Sequence, residues 1–285
     1  MPSFWSNLPL PPVRDASDTA RYYALIDAAQ LERFSQTMNL KSDSILSRIA
    51  LLGEQIAPDR YDASPHLLEL AGPDSYRNLV GQFARRNASH GVMTCLVSAL
   101  AASELIARLK HRLDATLPDD VECVNRFFDG RISPHLHACL GDQQRSEFFS
   151  VATQWLVVGH DHTWQSLACH FAERDPYTGP LAISVRQEAY LIDHCYPYAL
   201  IEHFERTDAD LLDGVPAAQR YRFFKDAMAT AERFGFDRSS DITLFCTLSM
   251  TRGANFHEKA PWPEKLAAVQ AGRASLQDVL KSIHD

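Results

Sequence analysis

The segment VNRFFDGRISPHL, residues 124–136, places Arg126, Asp129 and Arg131 in and beside an apolar run. Charged side chains rarely end a buried strand without a partner. A carboxylate between two guanidinium groups can be held bidentately and can join a strand end to the start of the next helix. A catalytic arginine normally faces a phosphate or carboxylate substrate, and nothing else in the sequence is suited to holding one. These residue types therefore favour an ion-pair cluster.

Two carboxylates, Asp27 and Asp129, each follow a predicted strand. Ligands usually bind at the carboxyl ends of strands in an α/β sheet, so this pair could share acid and base catalysis. Alternatively, each carboxylate caps the following helix or pairs with Arg126 or Arg131. We favour this second, structural interpretation.

Histidines occur as two His-x-His pairs, His135 with His137 and His160 with His162. Side chains at i and i+2 of a strand point to the same side and could chelate a metal. The first pair falls in a predicted helix, where such positions diverge by about 200°, and the second falls in a predicted turn. We therefore expect surface histidines, with a metal hydrolase that uses His160, Asp161 and His162 as the alternative.

Established catalytic and cofactor motifs are missing from the sequence. It contains no GxGxxG, GxxxxGK[ST], GxSxG or HExxH pattern. The six cysteines are scattered without a CxxC or CxxxC pair, which indicates reduced thiols rather than a zinc ribbon. We therefore expect no catalytic residue, no cofactor and no metal.

The composition is that of an ordinary globular protein, with 46% hydrophobic and 22% charged residues and a net charge of −8. This charge argues against a dedicated nucleic-acid-binding protein, which needs a basic face. The N-terminus lacks the pattern of a secretory signal, and the longest mostly apolar run, residues 91–102, is shorter than the roughly 20 residues of a membrane span. We expect a soluble, cytoplasmic protein without a membrane span or nucleic-acid partner.

Apolar runs predict strands at residues 22–27, 91–97, 121–129 and 153–158, and further short apolar runs, bounded by glycine and proline, lie at residues 47–52 and 66–70. They alternate with helical patterns, which predicts an α/β lobe with a mostly parallel sheet, closed by an antiparallel hairpin at its edge. The all-apolar character of these strands fits burial on both faces. In the amphipathic helix at residues 103–113, Arg108 and Arg112 are expected away from the apolar face.

Strand patterning stops near the segment DPYTGP, residues 175–180. We therefore divide the chain into a Pro-rich lead-in at 1–20, an α/β domain at 21–178 and an all-α domain at 179–285. Pro197 is expected to kink or divide the helix that contains it.

Several segments resemble the type VI secretion effector-adaptor family. YALIDAAQ, residues 23–30, is similar to the opening strand of that family, although Ala28 stands where a glycine often follows the aspartate. RFFDGRISPHLHACLGDQQRSEFF with the later WLV, within residues 126–157, resembles its most recognisable block. AERFGFDRSSDITLF and GANFHEKAPW resemble the helical tail often attached to it. The resemblance covers roughly residues 20–265.

Members of that family are described as bacterial cytoplasmic chaperones, not enzymes, that hold a toxic effector and load it onto the VgrG spike of the secretion machine. The resemblance implies that this chain binds a secreted effector protein and a VgrG spike protein. It also favours a structural ion-pair cluster of Asp27, Arg126, Asp129 and Arg131, in which one arginine could be exposed to a partner.

Partner contacts could also come from aromatic residues in predicted loops, namely Phe4, Trp5, Tyr177 and Trp262. The alternative to a binding protein is a small α/β hydrolase or metal-dependent enzyme. Its site would lie at the strand ends around Asp27, Asp129, His160 and His162.

Overall fold

The computed structural model describes residues 4–13, 19–31, 34, 43–53, 64–86 and 88–279. The chain forms two compact units, Met1–Cys195 and Tyr196–Asp285. The division falls within a helix, Val185–Thr207, and lies later in the chain than the boundary predicted near residue 178.

The first unit is built on strands of two sheets. The strands are β1 (Arg21–Ile26), β2 (Ile45–Ala50), β3 (His66–Leu70), β4 (Met93–Ser98), β5 (Asp114–Thr116), β6 (Glu122–Val124), β7 (Gln154–Val158), β8 (Trp164–Leu167) and β9 (Leu181–Ala182). Six of them form the large sheet in the order β2-β3-β1-β4-β7-β8. Every neighbouring pair in this sheet is antiparallel, so the predicted mostly parallel sheet is wrong. The predicted edge hairpin, β7 with β8, is confirmed.

The position of β1 explains the error. Helix α1 (Ser75–Arg86) joins β3 to β4, which is the strand-helix-strand pattern that connects parallel strands. Both strands pair antiparallel with β1, so they run parallel to each other with β1 between them. The sequence shows the alternation of strands and helices, but it does not show that an earlier strand is inserted between two later ones.

Alternate residues of β1 face two different hydrophobic cores. Tyr23 and Leu25 pack in one core, and Ala24 and Ile26 pack in the other. All four side chains are fully buried. A continuous apolar run is typical of parallel strands, but burial on both faces imposes the same run on this antiparallel strand.

Helices cover both faces of the large sheet. The first core contains apolar residues of α2 (Ala102–His111), α3 (Ser133–Cys139) and α4 (Asp142–Phe148). The second core contains Tyr76, Leu79 and Phe83 of α1, together with Trp5 from the 3-10 helix Phe4–Asn7. The sheet is therefore a central layer in which the end of β1 lies beside the start of β4.

A smaller sheet has the order β6-β5-β9. Its strands β5 and β6 pair antiparallel, and β5 and β9 pair parallel. The strand predicted at residues 121–129 ends at Val124. The chain turns after that point, and the Asp129 N–H donates to the Arg126 carbonyl oxygen at 2.9 Å. The RFFD segment is therefore a turn that leads into α3.

Helices make up the second unit, and the described residues 196–279 contain no strand. They are the end of α5 (Val185–Thr207), then α6 (Ala217–Arg233), α7 (Ser239–Arg252) and α8 (Trp262–Gln270). Helix α5 continues through Pro197, so of the two expected effects, a kink or a division, the division does not occur. Among the described helices, none combines the length and the apolar character needed to cross a membrane.

Candidate functional site

The structure brings Asp27, Arg126, Asp129 and Arg131 together in what we call the acid–arginine cluster. Asp27 directly follows β1, as predicted. Asp129 lies in the turn before α3 rather than at the end of a strand, which corrects its predicted position. The two carboxylates therefore meet because a strand end and a helix-initiating turn pack together.

Arg126 bridges the two carboxylates. Its Nη2 donates to Asp27 Oδ2 at 2.8 Å and to Asp129 Oδ2 at 3.3 Å. The Arg126 side chain is 45% exposed, whereas the Asp27 and Asp129 side chains are each 1% exposed. Arg126 thus connects two buried charges to the protein surface.

Arg131 holds Asp129 from the other side. Its Nε donates to Asp129 Oδ1 at 3.0 Å, and its Nη2 donates to Oδ2 at 2.8 Å, which is a bidentate pair. The Arg131 backbone N–H also donates to Oδ1 at 2.9 Å. The Asp129 carbonyl oxygen accepts from Ile132 and Ser133 N–H groups at 2.9 and 3.0 Å. Asp129 therefore fixes the turn and the start of α3 at once.

A glycine permits this close packing. The Gly130 N–H donates to the Gly91 carbonyl oxygen at 2.9 Å, which joins the turn to the segment before β4. A Cβ atom at Gly91 would lie 2.6 Å from Asp129 Oδ1 and 2.6 Å from Arg131 Cγ. Only a residue without a side chain fits beside the cluster at this position.

The two carboxylate oxygens of Asp27 differ in their contacts with the described residues. The Gln30 side-chain Nε2 donates to Asp27 Oδ2 at 2.8 Å and to the Gly91 carbonyl oxygen at 3.3 Å. Asp27 Oδ1 and Gln30 Oε1 are buried, and no hydrogen-bond donor of the described residues reaches either atom. An acid–base role for this site would depend on that Asp27 oxygen.

Histidines lie close to the cluster. The pKa of His90 is lowered to about 3, mainly by burial and also by the Arg131 charge, while the Asp129 charge acts in the opposite direction. The charges of His160 and His162, from the turn between β7 and β8, also act on His90. These histidines and Asp129 thus share one neighbourhood. Among the residues that the structure describes, however, no group of three His, Cys, Asp or Glu side chains could hold a metal ion.

The other histidine pair lies elsewhere. His135 and His137 are on helix α3, as predicted, and His137 Nε2 is 2.8 Å from the Ala168 carbonyl oxygen. Burial lowers the pKa of His137. The His135 ring lies 5.4 Å from that of His194. The structure therefore does not bring this pair to the acid–arginine cluster.

The aromatic residues expected as exposed partner contacts are buried. Trp5 is 1% exposed, Tyr177 is 9% exposed and Trp262 is 6% exposed, so this expectation is wrong for all three. The side chain of Phe4 lies outside the described part of the chain. Loop aromatics often pack back onto the fold because each buries a large apolar area.

Specific contacts hold these aromatic side chains inside. Trp5 Nε1 donates to the Ala88 carbonyl oxygen at 3.0 Å. The Trp262 ring lies 4.9 Å from that of Phe256, in an edge-to-face arrangement. These rings therefore offer little surface to a partner.

A second buried arginine, Arg112, was not recognised in the sequence. It is fully buried, and its guanidinium donates to Asp175 Oδ2 at 2.8 Å and Oδ1 at 2.6 Å. Its Nε donates to the Phe148 carbonyl oxygen at 2.7 Å, and the Tyr177 ring lies 4.6 Å from its guanidinium carbon. Burial raises the pKa of Asp175, but the hydrogen bonds and charge of Arg112 outweigh this, and the net pKa is below its ordinary value.

The sequence held a signal for this buried arginine. Leu105, Leu109 and Arg112 follow one another at spacings of four and three residues, so Arg112, the residue that caps the C-terminus of α2, continues the face of the two leucines. Arg108 is buried as well, and its Nη1 donates to the Ala172 carbonyl oxygen at 2.8 Å. Both arginines act as structural anchors for the segments that surround α2.

Comparison with known proteins identifies one matching family. Residues 22–147 match the model of a family described as Domain of unknown function (DUF4123). No curated protein and no solved structure matches the chain. The matched segment contains all members of the acid–arginine cluster and ends before β7.

Proposed function

We propose that this chain is a type VI secretion effector adaptor, which binds a toxic effector in the cytoplasm and loads it onto a VgrG-type spike protein. The observation that carries the proposal is the match of residues 22–147 to the DUF4123 family. That segment includes the opening strand at residues 23–30 and most of the block within residues 126–157, both of which resemble the adaptor family.

The geometry of the acid–arginine cluster supports a binding protein rather than an enzyme. Asp129 is buried, and its two oxygens accept hydrogen bonds from Arg131 and Arg126. A carboxylate held in this way stabilises the fold and is poorly placed to exchange protons with a substrate. The cluster therefore suits a rigid scaffold, in which the partly exposed Arg126 is the member that a partner could contact.

The division into two units supports binding to two partners. The first unit contains both sheets, and the described part of the second consists of helices and connecting segments. Their surfaces differ in backbone architecture, so each can recognise a different protein. Because a loading factor must later release its cargo, we expect interfaces of about 1,200–2,000 Å² rather than the larger obligate kind.

The proposal can be tested by deleting the gene in the native bacterium. The effector should still be made, but its delivery to target cells should stop while unrelated effectors continue to be secreted. A plasmid copy of the gene should restore delivery. Normal delivery of every effector in the deletion strain would contradict the adaptor function.

An enzymatic function would give a different result. Purified protein would then convert a small substrate, and the Asp27→Asn variant would lose that activity while remaining folded. Such a result would assign Asp27 Oδ1 to catalysis and would replace the adaptor proposal.

A further inference from the structure

Strand β6 is an edge strand. It lies at one end of the small sheet, whose order is β6-β5-β9. All three residues of β6 are exposed. The outer side of an edge strand presents unpaired N–H and C=O groups, which form a template for pairing with another chain.

The hydrogen bonds to β5 show which groups point outward. The Leu117 N–H donates to the Val121 carbonyl oxygen at 2.9 Å, and the Asn125 N–H donates to the Leu113 carbonyl oxygen at 2.6 Å. In an antiparallel pair, hydrogen-bonded and non-hydrogen-bonded positions alternate. Glu122 and Val124 occupy non-hydrogen-bonded positions of this pair. Their backbone N–H and C=O groups therefore point away from β5.

The exposed face of the small sheet combines apolar and acidic side chains. Val124 lies opposite Asp114, and Glu122 lies opposite Thr116, so these four side chains share one face. Ala115 points to the other face and is buried in the core of the unit. A cavity of about 690 Å³ opens on this sheet, and its lining includes Asp114, Thr116, Glu122, Val124, Thr178 and Pro180.

Two large apolar side chains are exposed at this edge. Val121 is 52% exposed and Val124 is 53% exposed. Edge strands of soluble proteins are usually protected by lysine, proline or a covering element. Here two valines are exposed at the edge beside the acidic Glu122, and exposed apolar side chains at an edge strand can serve as a surface for a partner.

Every formal charge within residues 113–125 is negative. Asp114, Asp119, Asp120 and Glu122 are all exposed, and residues 113–125 contain no lysine or arginine. A partner segment with basic side chains would match this surface. A second copy of the chain would not, because pairing β6 with β6 would bring like charges face to face.

We propose that β6 is a docking edge for an extended segment of a partner protein that alternates apolar and basic side chains. The segment would add a strand beside β6, through backbone hydrogen bonds to Glu122 and Val124. Its lysine or arginine side chains would lie on the face of Asp114 and Glu122, and its apolar side chains, on the opposite face, would pack beside Val121 and Cys123. The proposal concerns the chemistry of the partner and holds whether or not the chain is a secretion adaptor.

Fluorescence anisotropy with labelled synthetic peptides of about ten residues, enough to span a strand, tests the proposal. One peptide alternates valine and lysine, a second alternates valine and glutamate, and a third alternates serine and lysine. The valine–lysine peptide should bind at least about tenfold more tightly than either of the others. Its binding should also slow hydrogen exchange of the Glu122 and Val124 amides.

Variants of the full chain locate the site. Val124→Lys should weaken binding of the valine–lysine peptide by about tenfold or more. The matched control Leu46→Lys should leave it unchanged, because Leu46 is an exposed apolar residue, 62% exposed, on β2 at the edge of the other sheet. The double variant Asp114→Lys/Glu122→Lys should reverse the preference and bind the valine–glutamate peptide.

Three results would overturn the proposal. The first is equal binding of the valine–lysine and serine–lysine peptides, which would indicate charge attraction without strand pairing. The second is an equal loss of binding in Leu46→Lys and Val124→Lys. The third is a dimer of the free protein in analytical ultracentrifugation that Val124→Lys dissociates, which would assign the edge to a second copy.

Discussion

Arg126 Nη2 lies 2.8 Å from Asp27 Oδ2, although the two residues are 99 positions apart in the sequence. The ion pair joins the end of β1 to the turn that starts α3. Because Arg126 also contacts Asp129 at 3.3 Å, a single guanidinium links both buried carboxylates of the cluster. This arrangement makes the cluster a long-range connection within the segment that matches the DUF4123 family.

The first prediction concerns Asp129. The Asp129→Ala variant should lower the free energy of unfolding by about 3–5 kcal/mol, because Arg131 would lose the carboxylate that it binds in a largely buried site. Urea unfolding followed by circular dichroism measures this change. The control Asp142→Ala, which removes the fully exposed partner of Arg145, should unfold at the wild-type urea concentration. An unchanged midpoint for Asp129→Ala would contradict the structural role.

The second prediction concerns Gly91. The Gly91→Ala variant should lose about 1–3 kcal/mol of stability, because the added Cβ overlaps Asp129 Oδ1 and Arg131 Cγ. Gly81→Ala is the matched control. It lies in α1, where the nearest side-chain atom to the added Cβ is 3.6 Å away, and it should gain about 0.5–1 kcal/mol. Thermal unfolding of both variants should shift in opposite directions, and a shift in the same direction would be inconsistent with close packing at Gly91.

The third prediction is a pH dependence from His90. Its pKa is lowered from 6.5 to about 3 in the folded protein, so the unfolded chain binds a proton there that the folded chain does not. The free energy of unfolding should therefore fall as the pH decreases from about 6.5 toward 3, by up to about 1.4 kcal/mol per pH unit from this residue. The slope should be smaller in His90→Gln, measured by urea unfolding at several pH values. Equal slopes in the two proteins would refute the assignment.

The fourth prediction concerns Arg112. The Arg112→Lys variant should lose about 3 kcal/mol or more, because an ammonium group cannot form the bidentate pair with Asp175 in this fully buried site. The control Arg77→Lys should be close to wild type, since the Arg77 side chain is 72% exposed. Chemical unfolding provides the comparison, and equal stability of the two variants would show that Arg112 does not anchor the fold.

The sequence predicted local elements better than their arrangement. The run GVMTCLV was predicted as a strand at residues 91–97, and β4 spans Met93–Ser98, because a continuous apolar run of this length is typical of a buried strand. The predicted parallel direction of neighbouring strands was wrong. The insertion of β1 between β3 and β4 depends on contacts between residues that are distant in sequence. Local periodicity contains no information on such contacts.

The members of the candidate site could be predicted from the sequence, but their surroundings could not. Asp27, Arg126, Asp129 and Arg131 could be selected because charges beside apolar runs need partners. The proximity of His90 could not be predicted, since it comes from the packing of the segment before β4 against the turn at residues 129–131. The burial of Trp5, Tyr177 and Trp262 was also missed, because a loop position does not determine whether an aromatic ring faces solvent.

The adaptor function is tested most directly by reconstitution with purified components. Isothermal titration calorimetry measures binding of this chain to the effector encoded by a neighbouring gene and to the C-terminal part of a VgrG-type spike. Each partner is titrated first alone and then with the other partner already bound. We predict saturable binding of each protein and a complex that contains all three chains. If the folded chain binds neither the effector nor the spike protein, the adaptor function is contradicted.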